Sequence, residues 1–116
     1  MVHSNEGDNM EYIANERFLD ESDEEILQDA INTYGRNSQI NIAMEELAEL
    51  IQALSKFNRD NSDRSTVDNI SEEMADVIIM LSQLEIIFGN EEDIIAFIDS
   101  KLKRLYNRIK SVKEGI

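Results

Sequence analysis

The chain has 116 residues, 41% hydrophobic and 31% charged, which is one domain's worth of sequence, so an active site must fit inside one small fold or be shared between copies. With 25 Asp and Glu against 11 Lys and Arg the formal net charge is −14, which repels the phosphates of polymeric nucleic acid and of anionic membranes. The absence of cysteine, with a sole histidine at His3, removes disulfide, thiol, zinc-finger and histidine-based chemistry. No apolar run approaches the roughly 20 residues of a membrane span, and the first residues lack the basic-then-apolar order of a signal peptide; a cytoplasmic location is expected.

Residues 1–22 read as an acidic N-terminal arm, with many carboxylates against the single Arg17; Tyr12, Ile13, Phe18 and Leu19 are its docking residues. Residues 23–116 read as a helical domain. A first helix is expected from Asp23 to Tyr34, with Ile26, Leu27, Ala30 and Ile31 on one face and Gly35 as its stop. Asn37 or Ser38 caps a second helix from Ile40 to Phe57, whose Ile40, Ala43, Met44, Leu47, Leu50, Ile51 and Leu54 follow helical spacing. The polar stretch Asn58 to Asn69 reads as a loop. Ser71 or Asp68 then caps a third helix, Ile70 to Phe88, which is apolar nearly all round and is therefore expected to be buried on most faces. Gly89 and Asn90 end it. A fourth helix, Glu91 to Val112, opens with acids, closes with bases and carries Ile94, Ile98, Leu102, Leu105 and Ile109 on one stripe. The fold class is all-α: a four-helix bundle-like arrangement of antiparallel helices, assembling as a homodimer or homotetramer because the third helix needs more cover than three neighbours provide.

Two carboxylate strings echo each other. Glu45, Glu46 and Glu49 stand in EELAELIQAL on the second helix, and Glu72, Glu73 and Asp76 in SEEMADVIIML on the third. Glu46 and Glu49 flank the apolar face one turn apart, as do Glu73 and Asp76. A charge on a nearly all-apolar helix is costly unless paired or bound to a cation. Two such pairs on adjacent helices make a hard oxygen site suited to Mg2+ or Mn2+, whereas either string alone reads equally well as a solvated helix face. A di-iron bundle needs Glu-x-x-His pairs that this chain lacks.

The succession EELAE at Glu45–Glu49 and EMAD at Glu73–Asp76, with LIQALSKF and DVIIML beside them, resembles the MazG-type, all-α nucleoside triphosphate pyrophosphatase family over roughly Asp23 to Arg108. The resemblance implies that Glu46, Glu49, Glu73 and Asp76 ligate Mg2+. It also implies hydrolysis of a nucleoside triphosphate between the α and β phosphates, releasing a monophosphate and pyrophosphate. A bound metal neutralises phosphate oxygens, and Glu45 or Glu49 orients the attacking water as base. On the fourth helix Lys101, Arg104 and Arg108 form a basic stripe, read either as a contact to the triphosphate or as compensation of the helix dipole. Lys101 corresponds to a family lysine, while Leu105 stands where an asparagine is expected. Asn41 and Lys56, with Gln52 and Gln83, are the polar candidates for lining a substrate pocket, and Met44, Met74 and Met80 read as gap-fillers on packed faces. The competing reading is a catalytically silent helical interaction or regulatory module in which the carboxylates hold a structural cation or meet a basic partner.

Overall fold

The computed structural model describes residues 18–60 and 64–115. Among these residues there are four helices and no strand: α1 (Glu21–Tyr34), α2 (Arg36–Arg59), α3 (Arg64–Phe88) and α4 (Glu91–Lys113). The expected all-α class is what the chain adopts.

α1 starts two residues before the expected Asp23 because its cap lies in the arm. The Asp20 carboxylate accepts from the Asp23 amide at 3.0 Å, and the Asp23 carboxylate accepts from the Asp20 amide at 2.9 Å, a reciprocal capping box. The Ser22 hydroxyl donates to Asp20 at 2.7 Å, and together with the Asp23 amide holds that carboxyl below its ordinary pKa. Leu27 is the buried residue of α1, Ala30 and Ile31 are half-buried, and Ile26 is exposed. Gly35 serves as C-cap of α1 and N-cap of α2 at φ +97°, a conformation that L side chains rarely adopt. α2 thus begins at Arg36, earlier than Ile40, and neither Asn37 nor Ser38 caps it, since both lie inside its first turn.

The expected loop Asn58 to Asn69 is much shorter. α2 continues to Arg59 and α3 is already formed at Arg64, where an Arg64–Asp68 ion pair at 3.3 Å supports the first turn. Asp68 and Ser71 are helix residues, not caps, and the Ser71 hydroxyl donates back to the Val67 carbonyl at 3.1 Å. From Arg64 to Asn69 the polar residues are helical, with Arg64, Ser65 and Asp68 exposed and Thr66 buried.

α1 packs against both α2 and α3, and α2 packs most extensively on α3. Among the buried and half-buried positions, one line on α2 runs Gln39, Ala43, Glu46, Leu50, Ala53 and one on α3 runs Thr66, Ile70, Glu73, Val77, Met80. Both lines step by alternating three and four residues, the periodicity of helices packed along a seam. Ala43, only 1% exposed, and Ala53, 3% exposed, let the two backbones approach closely. Arg36, at the start of α2, stacks 5.3 Å from the centre of the Phe88 ring at the end of α3.

The expected burial of α3 on most faces is met only in part within one chain: Val77 and Met80 are buried and Ile70, Ile78, Leu84, Ile86 and Ile87 half-buried, while Met74, Ile79, Leu81 and Phe88 are exposed. Of the methionines read as gap-fillers, Met80 is buried, but Met44 and Met74 lie on open faces. α2 likewise exposes Met44, Leu47, Ile51 and Leu54, which form a second stripe beside the seam. α4 belongs to a compact unit separate from that of α1 to α3, and none of its residues is buried. No described helix is long and apolar enough to cross a membrane.

Candidate metal centre

The seam explains why carboxylates come together here. Glu46 stands one turn after Ala43 and one turn before Leu50, so its backbone register points it along the packed line rather than to water. Glu73 occupies the matching place on α3, one turn before Val77. One oxygen each of Glu46, Glu49 and Glu73 fall within 4.8 Å of one another. Asp76 lies outside that group of three, half-buried one turn after Glu73 on α3, and its charge acts on both Glu46 and Glu73, as that of Glu49 does.

The electrostatics follow from crowding like charges on a seam. Burial pushes the Glu46 carboxyl above its ordinary range, and the charges of Glu49, Asp76 and Glu73 push it further. Burial also raises Glu73, helped by Glu49, Asp76 and Glu72. The Oε1 atoms of Glu46 and Glu73 are each buried without a hydrogen-bond partner. Buried acceptors of this kind are normally satisfied, and a cation is a chemically apt partner: carboxylates supply the hard oxygen ligands that Mg2+ or Mn2+ takes, with waters completing the shell. The residues therefore fit such an ion.

The other sequence candidates lie in different places. Glu45, next to Glu46, is exposed and outside the group of converging oxygens, as is Glu72 on α3. Glu49 is the exposed member of that group, open to solvent on one side. Lys56 is exposed, two turns beyond Glu49 on the same edge of α2, about 10 Å along the axis at 1.5 Å per residue. Asn41 is exposed near the start of α2, and Gln52 is exposed farther along it. Lys101 and Arg104 are exposed on one edge of α4, and the neighbouring Lys103 pairs with Asp99 at 3.1 Å.

Sequence reasoning missed Gln39 and placed Gln83 at the surface. Both are 4% exposed, and Gln39 Nε2 and Gln83 Oε1 lack hydrogen-bond partners. The signal for Gln39 was present: it lies two turns before Glu46, hence on the same seam. A groove of about 420 Å3 along α3 was also unforeseen, lined by Phe18, Leu19, Met74, Ala75, Ile78 and Ile79 with Ser71 as its hydroxyl. Phe18 and Leu19, two of the expected docking residues, line this groove, with Phe18 more than half exposed; Tyr12 and Ile13 lie outside the described residues.

Compared with protein-family models, with characterised proteins and with solved structures, the chain matches none at a significant level.

Proposed function

We propose that the chain is a Mg2+-dependent nucleoside triphosphate pyrophosphohydrolase, of the MazG-like kind that its carboxylate strings resemble. The observation that carries this reading is the convergence of Glu46, Glu49 and Glu73 from two packed helices, with Asp76 close enough for its charge to act on two of them and with one buried oxygen each of Glu46 and Glu73 lacking a hydrogen-bond partner. Mg2+ or Mn2+ held by these four would neutralise phosphate oxygens and acidify a water at the site. Glu49, the solvent-open carboxylate, is the better placed of the two candidate bases, since Glu45 lies outside the converging group. It orients the water and takes its proton as the water oxygen bonds to the α phosphorus. The bond from that phosphorus to the bridging oxygen breaks, and pyrophosphate leaves. Lys56, on the edge of α2 that carries Glu49, supplies a cation for the triphosphate, and Lys101 and Arg104 are the further cations that the sequence offers for it.

In this reading α2 and α3 run antiparallel. The pairs Glu46 with Asp76 and Glu49 with Glu73 support it: as the number rises by three on α2, the partner's falls by three on α3. Assembly as a homodimer or homotetramer, in the cytoplasm, covers the apolar side chains that one copy exposes on α2, α3 and α4.

The test is a panel of ribo- and deoxyribonucleoside triphosphates with and without Mg2+, read separately for pyrophosphate and for phosphate. Metal-dependent pyrophosphate release is expected. Stabilisation by Mg2+ without turnover of any member would return the chain to the silent module that holds a structural cation.

A further inference from the structure

Between Ile95 and Val112, α4 has an aliphatic residue at every a and d position of a heptad repeat: Ile95, Leu102 and Ile109 at a, and Ile98, Leu105 and Val112 at d. An unbroken stripe of this kind, about 27 Å long at 1.5 Å per residue, is the seam of a two-stranded coiled coil. Yet Leu102 is 58% and Val112 74% exposed. The charges flanking the stripe are segregated along the helix. Glu91, Glu92, Asp93 and Asp99 lie in its first half, and Lys101, Lys103, Arg104, Arg108, Lys110 and Lys113 in its second, with no acid between Ser100 and Lys113.

We propose that α4 is the self-association helix and that it pairs antiparallel with α4 of a second copy. This names the partner surface for the homo-oligomer proposed above and does not depend on the cation site. With each a position over the partner's d, Leu102 meets the partner's Leu105, Ile98 the partner's Ile109, and Ile95 the partner's Val112, so all six positions are filled without overhang. The acidic half of each helix then faces the basic half of the other, and the e positions set Glu92 against the partner's Lys113 at both ends. The helix dipoles also oppose. Lys101 against the partner's Arg108 is the one like-charged pair, and both are long side chains at the solvent edge. A parallel pairing would bring the two basic halves together and set Arg108 against the partner's Lys113, so charge selects the antiparallel form.

The chain has no cysteine of its own, so introduced thiols report without background. The double variant Glu92→Cys/Lys113→Cys, mildly oxidised, should run mostly as a covalent dimer on a non-reducing gel. Either single variant should give at least fivefold less, because Glu92 and Lys113 sit at opposite ends of the pair. Efficient dimer from Lys113→Cys alone, or none from the double variant, overturns the proposal. Sedimentation of Leu105→Asp at micromolar concentration should give a 13.3 kDa monomer with its helical circular dichroism retained. Persistence of the wild-type assembly in that variant also overturns it. A monomeric wild type refutes self-association altogether, whereas an oligomeric wild type without the cross-link refutes the α4 pairing alone; pyrophosphate release judges the cation reading in either event.

Discussion

The crowding of like-charged carboxylates should make the metal-free protein sensitive to pH in an unusual direction. Glu46 and Glu73 have pKa values above the ordinary 4.5 in the folded chain, so between that value and the raised one the folded state holds more protons than the unfolded. Stability of the metal-free protein should therefore fall as pH rises through that window, then level off, the opposite of a carboxylate held by a salt bridge. Mg2+ displaces those protons, so its stabilising effect should grow over the same window. At ten times its dissociation constant a cation that binds only the folded state adds about 1.4 kcal/mol, which for a domain of about 100 residues raises Tm by roughly 6–11 °C. Glu73→Gln removes one of the four ligands and relieves the repulsion on Glu46. If it weakens binding tenfold, the same Mg2+ concentration adds only about 0.4 kcal/mol, while in EDTA the variant should melt above wild type. The assay is thermal unfolding by circular dichroism, wild type and Glu73→Gln, in EDTA and in millimolar Mg2+, from pH 5 to 8. A wild type indifferent to Mg2+ throughout, together with a variant less stable in EDTA, would mean that the carboxylates are structural groups and that the cation reading is wrong.

Asp76→Asn, which keeps the shape of the side chain, should lower kcat for pyrophosphate release about 100- to 1000-fold, the scale of one electrostatic contact to the reacting groups; full activity would remove Asp76 from the site. Changing both Lys101 and Arg104 to Ala should raise KM more than it lowers kcat, because ground-state and transition-state phosphates carry similar charge. Unchanged steady-state kinetics would leave both residues as partners of the helix dipole. Ala43→Leu should destabilise the protein by about 1–3 kcal/mol through overpacking of the α2–α3 seam and, by spreading the two helices one turn from Glu46, should also abolish the Mg2+-dependent rise in Tm. Retention of that rise would show that the carboxylate geometry does not depend on the close approach.

The helices were legible because periodicity and punctuation agree: Gly35 and Gly89 mark two of the three breaks between four periodic segments, and a polar stretch marks the third. The helix ends were less so. Thr66 is buried and Arg64 pairs with Asp68, but both lie among Asp, Asn and Ser residues whose composition imitates a loop. Three of the sequence candidates, Glu46, Glu49 and Glu73, do converge, and their i, i+3 spacing on two helices was visible in the sequence, whereas the rotation of each helix that brings them together was not.

What hydropathy concealed was the orientation of α2. Its most apolar stripe, Met44, Leu47, Ile51 and Leu54, invites the reading that this face meets the rest of the chain. In the structure the helix is turned so that Gln39, Ala43, Glu46 and Ala53 occupy the seam, while Ile51 is left 66% exposed. Periodicity records how much surface a helix must eventually bury; it does not say against what. Here the seam sets Gln39, Ala43, Glu46 and Ala53 of α2 against α3, whose Val77 and Met80 are buried, so that three carboxylates share a few ångströms while the larger apolar side chains of α2 lie outside it. Carboxylates placed along a seam take room from apolar side chains, and the exposed stripes of α2, α3 and α4 are surface that the proposed association between copies would take out of water.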